Sequence, residues 1–432
     1  MQRLFLATTT AFSLCVLSAT SGSTGCAKYV APCALESDST VMNLSALSRA
    51  HLVKRPDGTV IASWLRFKQA ALGSVASQMP EGFEIVVIGA DGTITQQKSV
   101  ASPAALDARK GSTRNIGAEW TGRGAILHWT EATTQTLADG TSSTHLSTKL
   151  QFVSDNGQEG ELLDGLSCDD CSTLTSSTPF EDGVTLLHTA VGSKLGGGTS
   201  EVPATIVRFD RIAADGSRTA SGSVPWLASV LTPAGSQSGG FAFAASAALA
   251  TSGRHLFVFA TNNAWSVDAT LSPKEGPIPR PPGAVLAWDP STNEAVTAWF
   301  ASDVGADLLG APPNLYFQRS DNQGRPAIPV QRISTGDAVL AVAAQADHYA
   351  VVFSAGGHEY LDLVDRTGNK RGSDLDLGGS SVADPGADAG AGAEGIGTGA
   401  GEHLLHAPST NVFVDIYVTS DAIKRRVIRC QP

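Results

Sequence analysis

The chain has 432 residues, with 30 Lys and Arg against 41 Asp and Glu, for a formal net charge of −11. Charged residues make up 16% and hydrophobic ones 42%, with 45 Gly and 21 Pro, a turn-rich globular composition rather than a disordered or collagen-like one. An acidic balance excludes a general nucleic-acid binder, which needs a basic footprint, and a polybasic membrane-surface protein.

The chain opens with MQRLFLATTTAFSLCVLSATSGSTGC: one positive charge at Arg3, an apolar stretch from Leu4 to Leu17, then small residues up to Gly25 and Cys26. These are a charged n-region, a short h-region and a cleavage zone. No other apolar stretch approaches the length of a membrane span, so no transmembrane helix is expected. Ending on Gly25-Cys26, the segment resembles a bacterial lipoprotein signal. That resemblance implies a signal peptide over 1–25 and lipid attachment at Cys26. It also implies anchorage on the extracytoplasmic side of a membrane, expected to be the outer one because Ala27 offers no retention acid. Ordinary cleavage and secretion stays open as the alternative. Residues 26–39 then read as an N-terminal tether, and 40–432 as one domain.

Next comes a loose repeat. A polar turn leads into an apolar strand that reaches an aromatic residue or His. The markers are Trp64, Trp129, His188, Phe259, Trp299, Phe353 and Tyr417, at intervals of 40 to 71 residues. Most are followed by a hairpin, as in FEIVVIGADGTITQ and LSTKLQFVSDNGQE, where Asp-Gly and Asn-Gly supply the positive φ of a tight turn. One hairpin before and one after each marker makes four strands per unit. The fold expected is all-β, a seven-bladed β-propeller of four-stranded antiparallel blades. Two stacked β-sandwiches are the rival, and they leave seven similar markers unexplained. Carrying repeats of the LYFQRSDNQG kind, the sequence resembles uncharacterised secreted or lipid-anchored bacterial propeller proteins, a resemblance of pattern that specifies no activity.

The last unit ends at IKRRVIRC and lacks a fourth strand, while APCALESDSTVMNLSAL precedes the first unit without another assignment. The N-terminal segment is therefore expected to close the ring, placing Cys33 and Cys430 on adjacent strands as a disulfide. With Cys15 removed and Cys26 acylated, four cysteines remain, an even number that suits an oxidising compartment. Residues 378–401 form a Gly/Ala-rich stretch with acids in and around it, including Glu402, expected as a mobile loop. SPKEGPIPRPPG at 272–283 is expected as an extended Pro-rich loop.

Few residues carry chemistry in a recognisable pattern. Cys168-Asp169-Asp170-Cys171 sits in loop-like flanks, with neighbouring acids that oppose a reactive thiolate and no second soft-ligand pair, so a structural disulfide is expected. Glu402-His403-x-x-His406 would share a face if helical, but Pro408 argues against a helix. His128 and His188 read as packed core residues. Asp303, Asp307, Asp347 and Glu359 read as solvated acids near strand ends. Asp374 and Asp376 alternate with Leu as a strand would, without the spacing of a calcium loop. No Asp-box, nucleophile elbow, zinc helix motif or phosphate loop stands in a usable context.

The expectation is a monomeric binding or scaffolding module with no catalytic residue, metal or cofactor assigned. Its partners would be the membrane, through the lipid, and a protein or glycan ligand at the propeller face, but no nucleic acid. The alternative is a carbohydrate-active, glycosidase-like enzyme with its site on that face. The two differ at the axis. An enzyme places acids with a His or Arg there, with shifted pKa values, and a scaffold leaves small or apolar groups.

Overall fold

The computed structural model describes residues 32–431, apart from 45–49, 56–57, 68–79, 108–112, 193–203, 232–246, 253, 282, 303–312, 346 and 380–401. The signal segment, Cys26, Asp303, Asp307 and nearly all of the Gly/Ala-rich stretch therefore lie outside the described residues.

Strand β1 (Cys33–Asn43) comes first and waits for a partner at the other end of the chain. Blade 1 is β2 (His51–Lys54), β3 (Val60–Phe67), β4 (Pro80–Ile88) and β5 (Ile94–Ala101), followed by the single-turn helix α1 (Ala104–Asp107). Blade 2 is β6 (Thr113–Trp120), β7 (Gly124–Thr136), β8 (Ser142–Ser154) and β9 (Glu159–Asp169). Blade 3 is β10 (Ser172–Phe180), β11 (Gly183–Gly192), β12 (Ala204–Ala213) and β13 (Arg218–Ser223), with helix α2 (Pro225–Leu231) after it. Blade 4 is β14 (Ala247–Ser252), β15 (His255–Ala260), β16 (Asn263–Val267) and β17 (Pro273–Pro279). Blade 5 is β18 (Val285–Asp289), β19 (Glu294–Ala301), β20 (Asn314–Asp321) and β21 (Gln331–Thr335). Blade 6 is β22 (Ala338–Ala344), β23 (His348–Ala355), β24 (His358–Asp365) and β25 (Leu375–Gly379). Blade 7 is β26 (His403–Ser409), β27 (Val412–Val418) and β28 (Ala422–Cys430), completed by β1.

Seven four-stranded antiparallel sheets make a seven-bladed β-propeller, and stacked sandwiches are excluded. β1 runs antiparallel to β28 from Cys33 opposite Cys430 to Asn43 opposite Ala422, so the N-terminal strand closes the ring. The strand begins inside the 26–39 stretch expected as a tether, because pairing with β28 satisfies its backbone.

All seven markers fall on second strands. These strands are buried on both faces, so period-two alternation sends successive side chains to the two flanking blades. In β3, Val60, Ala62 and Trp64 pack with Val414, Ile416 and Val418 of blade 7. Ile61, between them, packs with Trp120, Leu127 and Trp129 of blade 2. The other five junctions are built the same way, each around its own buried apolar cluster. Helix α2 adds Leu227 and Leu231 to the cluster between blades 3 and 4.

Tight turns join third to fourth strands. Between β4 and β5 the Asp91 carboxylate accepts from Thr93 N at 3.0 Å and Thr93 Oγ1 at 2.8 Å. Gly92 follows at φ +80°, and a Cβ there would fall on the Arg425 side chain. One expectation is corrected. Residues 273–279 of the Pro-rich stretch form β17, because a blade's outermost strand tolerates Pro where its outer edge needs no ladder donor.

Candidate functional site

Because every blade starts at its innermost strand, the turns between first and second strands gather at one end of the propeller, around the axis. Blades 1, 2 and 3 bring Arg55, Thr121 to Arg123 and Glu181 to this end, and blade 4 brings Thr251 and Arg254. They border two cavities of about 380 and 450 Å³ that share Arg55, Thr121 and Glu181. Val53, Lys54, Trp120 and Phe180 line the smaller one; Arg123 and Asp215 line the larger.

A polar cluster sits on the same innermost strands. His51, at the start of β2, has Nδ1 3.1 Å from Glu402 Oε1 and Nε2 3.9 Å from Glu119 Oε1. Its side chain is 34% exposed, while those of Glu119 and Glu402 are 5% and 9% exposed. Glu402 Oε1 also accepts from Leu52 N at 2.8 Å, and Oε2 has no hydrogen-bond partner among the described residues. Glu119 accepts from Ser177 Oγ on β10 at 2.8 Å. Ser177 therefore accepts from His128 Nε2, 3.1 Å away, which makes His128 a neutral imidazole protonated at that nitrogen. Burial, reinforced by His188, lowers the His128 pKa to about 3. Gly117 makes room for the ring: a Cβ there would lie 2.3 Å from His128 Nε2.

The electrostatics divide the cluster. Burial opposes the His51 imidazolium, but the Glu402 and Glu119 carboxylates outweigh it and lift its pKa to about 10. Burial raises Glu119 to about 7 against the pull of His51 and Ser177. An imidazolium thus lies between two carboxyl groups, one of which titrates near neutrality.

Other buried polar groups tie strands together within blade 3 and across the junctions of blades 5, 6 and 7. His188 Nε2 contacts Asp210 Oδ2 at 3.1 Å, Thr175 Oγ1 lies 3.1 Å from its Nδ1, and Arg218 pairs with Asp210 at 2.9 Å. Asp289 accepts from Tyr349 OH at 3.0 Å and Arg366 Nη1 at 2.9 Å, joining blades 5 and 6. His403 contacts Asp415 at 3.0 Å and Glu359 at 3.6 Å, and Arg426 pairs with Glu359.

These contacts place the residues singled out in the sequence. Cys33 and Cys430 are bonded, Sγ to Sγ, at 2.06 Å. Cys168 and Cys171 are also bonded, but Cys168 is a buried residue of β9 packed with Leu146 and Leu166, not part of a loop. His403 and His406 lie on a strand, and both are buried. Burial lowers His406 to about 4, so it is neutral. Glu359, expected as a solvated acid, is fully buried, because Arg426 and His403 compensate its charge. Asp347 pairs with His348, Asp374 with Lys370 and Asp376 with His358. No group of three or more His, Cys, Asp or Glu among the described residues could hold a metal ion.

Sequence reasoning missed His51 and Glu119, and took Glu402 as an acid beside the Gly/Ala-rich stretch and as the first residue of Glu402-His403-x-x-His406. The available signal was a charged residue inside an innermost strand, GAEW for Glu119, which has meaning only once that strand is assigned to the axis.

No family model matches the chain, and no curated protein matches it. Among solved structures it is similar to Citrobacter koseri AztD, at 12% identity and a TM-score of 0.38, over 76% of this chain and 87% of that one. It is also similar to an alpha-L-arabinanase of Penicillium chrysogenum, at 9% identity and a TM-score of 0.36, over 92% of this chain and 98% of that one. A structure of a prolyl endopeptidase is matched at 11% identity and a TM-score of 0.39, over 90% of this chain but only 50% of that one. At these values they are distant propeller neighbours and carry no argument about activity.

Proposed function

We propose that the protein is an extracytoplasmic, lipid-anchored propeller that binds a polar ligand at the axial mouth formed by blades 1 to 4. The observation carrying this reading is the pair of adjoining cavities at the first-strand turns, on a ring whose innermost strands carry His51 and Glu119, with Glu402 just ahead of β26. An axis kept for scaffolding alone would present small or apolar groups there. Two disulfides suit an oxidising compartment, and no helix among the described residues is long and apolar enough to cross a membrane. The lipid anchor rests on Gly25-Cys26 of the sequence.

Glycoside hydrolysis is the second reading, favoured by Glu119, whose pKa near 7 suits a general acid. Binding is preferred because His51 lies between the two carboxyl groups, where a scissile bond would have to sit. The test is a thermal-shift screen of glycans, peptides and small polar molecules, repeated on Phe180→Ala. A ligand whose effect is lost in that variant supports binding at the mouth. Turnover of a glycan that Glu119→Gln abolishes would replace it with the enzyme reading. Ligands indifferent to both substitutions would remove the mouth as the site.

A further inference from the structure

The axial mouth has an unusual charge arrangement for a chain of net charge −11. Lys54, Arg55 and Arg254 border the smaller cavity, and Arg55 and Arg123 border the larger. None of these four cations forms an ion pair with a described residue. The acids beside them are engaged elsewhere. Glu181 and Asp182 face Arg211 at 3.4 and 3.8 Å, while Asp215 accepts from Ser217 N at 3.0 Å and Ser217 Oγ at 2.7 Å, holding its own turn, with Arg123 the one mouth cation whose charge reaches it. Arg55 lies against Gly122, where a Cβ would come within 3.2 Å of its Nη2, so the backbone at φ +93° leaves space for the guanidinium. Burial keeps the Lys54 ammonium below its usual range with no carboxylate to offset it.

Like charges gathered in a concave site repel one another and focus a positive potential, which an anion neutralises. Guanidinium groups suit carboxylate and phosphate because their N–H forks match paired oxygens. The cations span two adjoining cavities, with Arg55 among the residues that line both, so one small anionic group cannot reach them all. We infer that the mouth takes a small organic anion bearing two or more carboxylate or phosphate groups, with Arg55 between the two halves and Arg254 and Arg123 at the ends. The inference rests on the axial-mouth reading and names the ligand class of that site.

The probes are citrate, inorganic pyrophosphate, inorganic phosphate and neutral maltotriose, titrated calorimetrically at low ionic strength into the full chain and into Arg55→Ala, Arg254→Glu and Phe180→Ala. Both arginine positions are partly or fully exposed and form no ion pair with a described residue, so the variants should fold, which their circular dichroism and melting temperatures check. Citrate or pyrophosphate should bind more tightly than phosphate. Each arginine variant should weaken binding about tenfold or more, and added salt should weaken it further. Citrate against pyrophosphate tells carboxylate from phosphate. If neither binds, or the arginine variants bind equally well, the inference is overturned. Maltotriose binding that is lost in Phe180→Ala and unchanged in Arg254→Glu would overturn the inference while keeping the mouth as the ligand site. No binding by any probe would count against both.

Discussion

Cys33 and Cys430 stand opposite each other at the end of the β1 and β28 pair, joined by a disulfide across 397 residues of sequence. The strand pairing and the covalent bond close the same ring at the same place. On the chain-entropy account a cross-link over so long a loop stabilises by about 6 kcal/mol, while measured disulfides typically contribute about 2–4 kcal/mol. Cys33→Ser with Cys430→Ser should therefore lower the unfolding free energy by about 2–5 kcal/mol, read in urea as a lower midpoint. Wild type under strong reductant should move toward the same midpoint, less any part owed to the Cys168–Cys171 bond. An unchanged midpoint would mean that the hydrogen-bonded closure suffices without the bond.

Gly117 tests how closely the axial strands are fitted. Its missing side chain is the space that the His128 ring occupies, at 2.3 Å from an added Cβ. Gly117→Ala forces the buried imidazole away from Ser177, costing about 1–3 kcal/mol as overpacking. Thermal unfolding measures the loss. Adding His128→Ala should restore part of it, since the colliding ring is then gone. Two losses that simply add would refute the account.

The His51 cluster predicts a pH dependence with a definite sign. His51 is raised from 6.5 to about 10, so its contribution is complete below pH 6.5 and is lost as pH climbs through 10. Glu119 is raised from 4.5 to about 7, so the stability tied to its proton is present below pH 4.5 and is lost as pH passes 7. Both groups make the protein less stable as pH rises from 4.5 to 10. In His51→Gln the decline toward pH 10 should flatten, while the part owed to Glu119 persists and moves upward, because the cation that held its pKa down is gone. Solvent screening tempers the amplitude, because the His51 side chain is 34% exposed. Urea unfolding across this range checks it, and an identical slope in the variant would remove His51 as its source.

The ring was legible in the sequence because it repeats. Trp64, Trp129 and Tyr417 recur on strands with the same burial, and IKRRVIRC lacks a partner that CALESDSTVMN supplies. Positions that share one environment in seven blades reinforce one another as signal. The site has no such redundancy. His51, Glu119 and Glu402 come from three distant stretches, and only the ring brings them together. The same limit explains Glu359. As a lone acid in HEYLDLVD it resembles any solvated carboxylate, and its partner Arg426 lies in another blade.

Arg426 on β28 is the polar counterpart of the disulfide. Its Nη1 pairs with Glu359 of blade 6 and lies 3.7 Å from Asp415 of β27, and its Nε lies 3.4 Å from Asp38 of β1. The guanidinium also stacks 4.0 Å from the Tyr417 ring, whose hydroxyl donates to Asp38 at 3.0 Å. Glu359 and Asp415 are fully buried, so removing the guanidinium leaves two buried carboxylates with His403 as their one remaining counter-charge among the described residues. Arg426→Met should cost about 3–5 kcal/mol, as for breaking a buried ion pair from one side. Arg426→Met combined with Glu359→Gln should recover part of that, because one of the two stranded charges is gone. Since Asp38 belongs to the closing strand, amide exchange should quicken in β1 before it does in blades 2 to 5. Quickening spread evenly over all seven blades would show that Arg426 stabilises the ring as a whole rather than the closure.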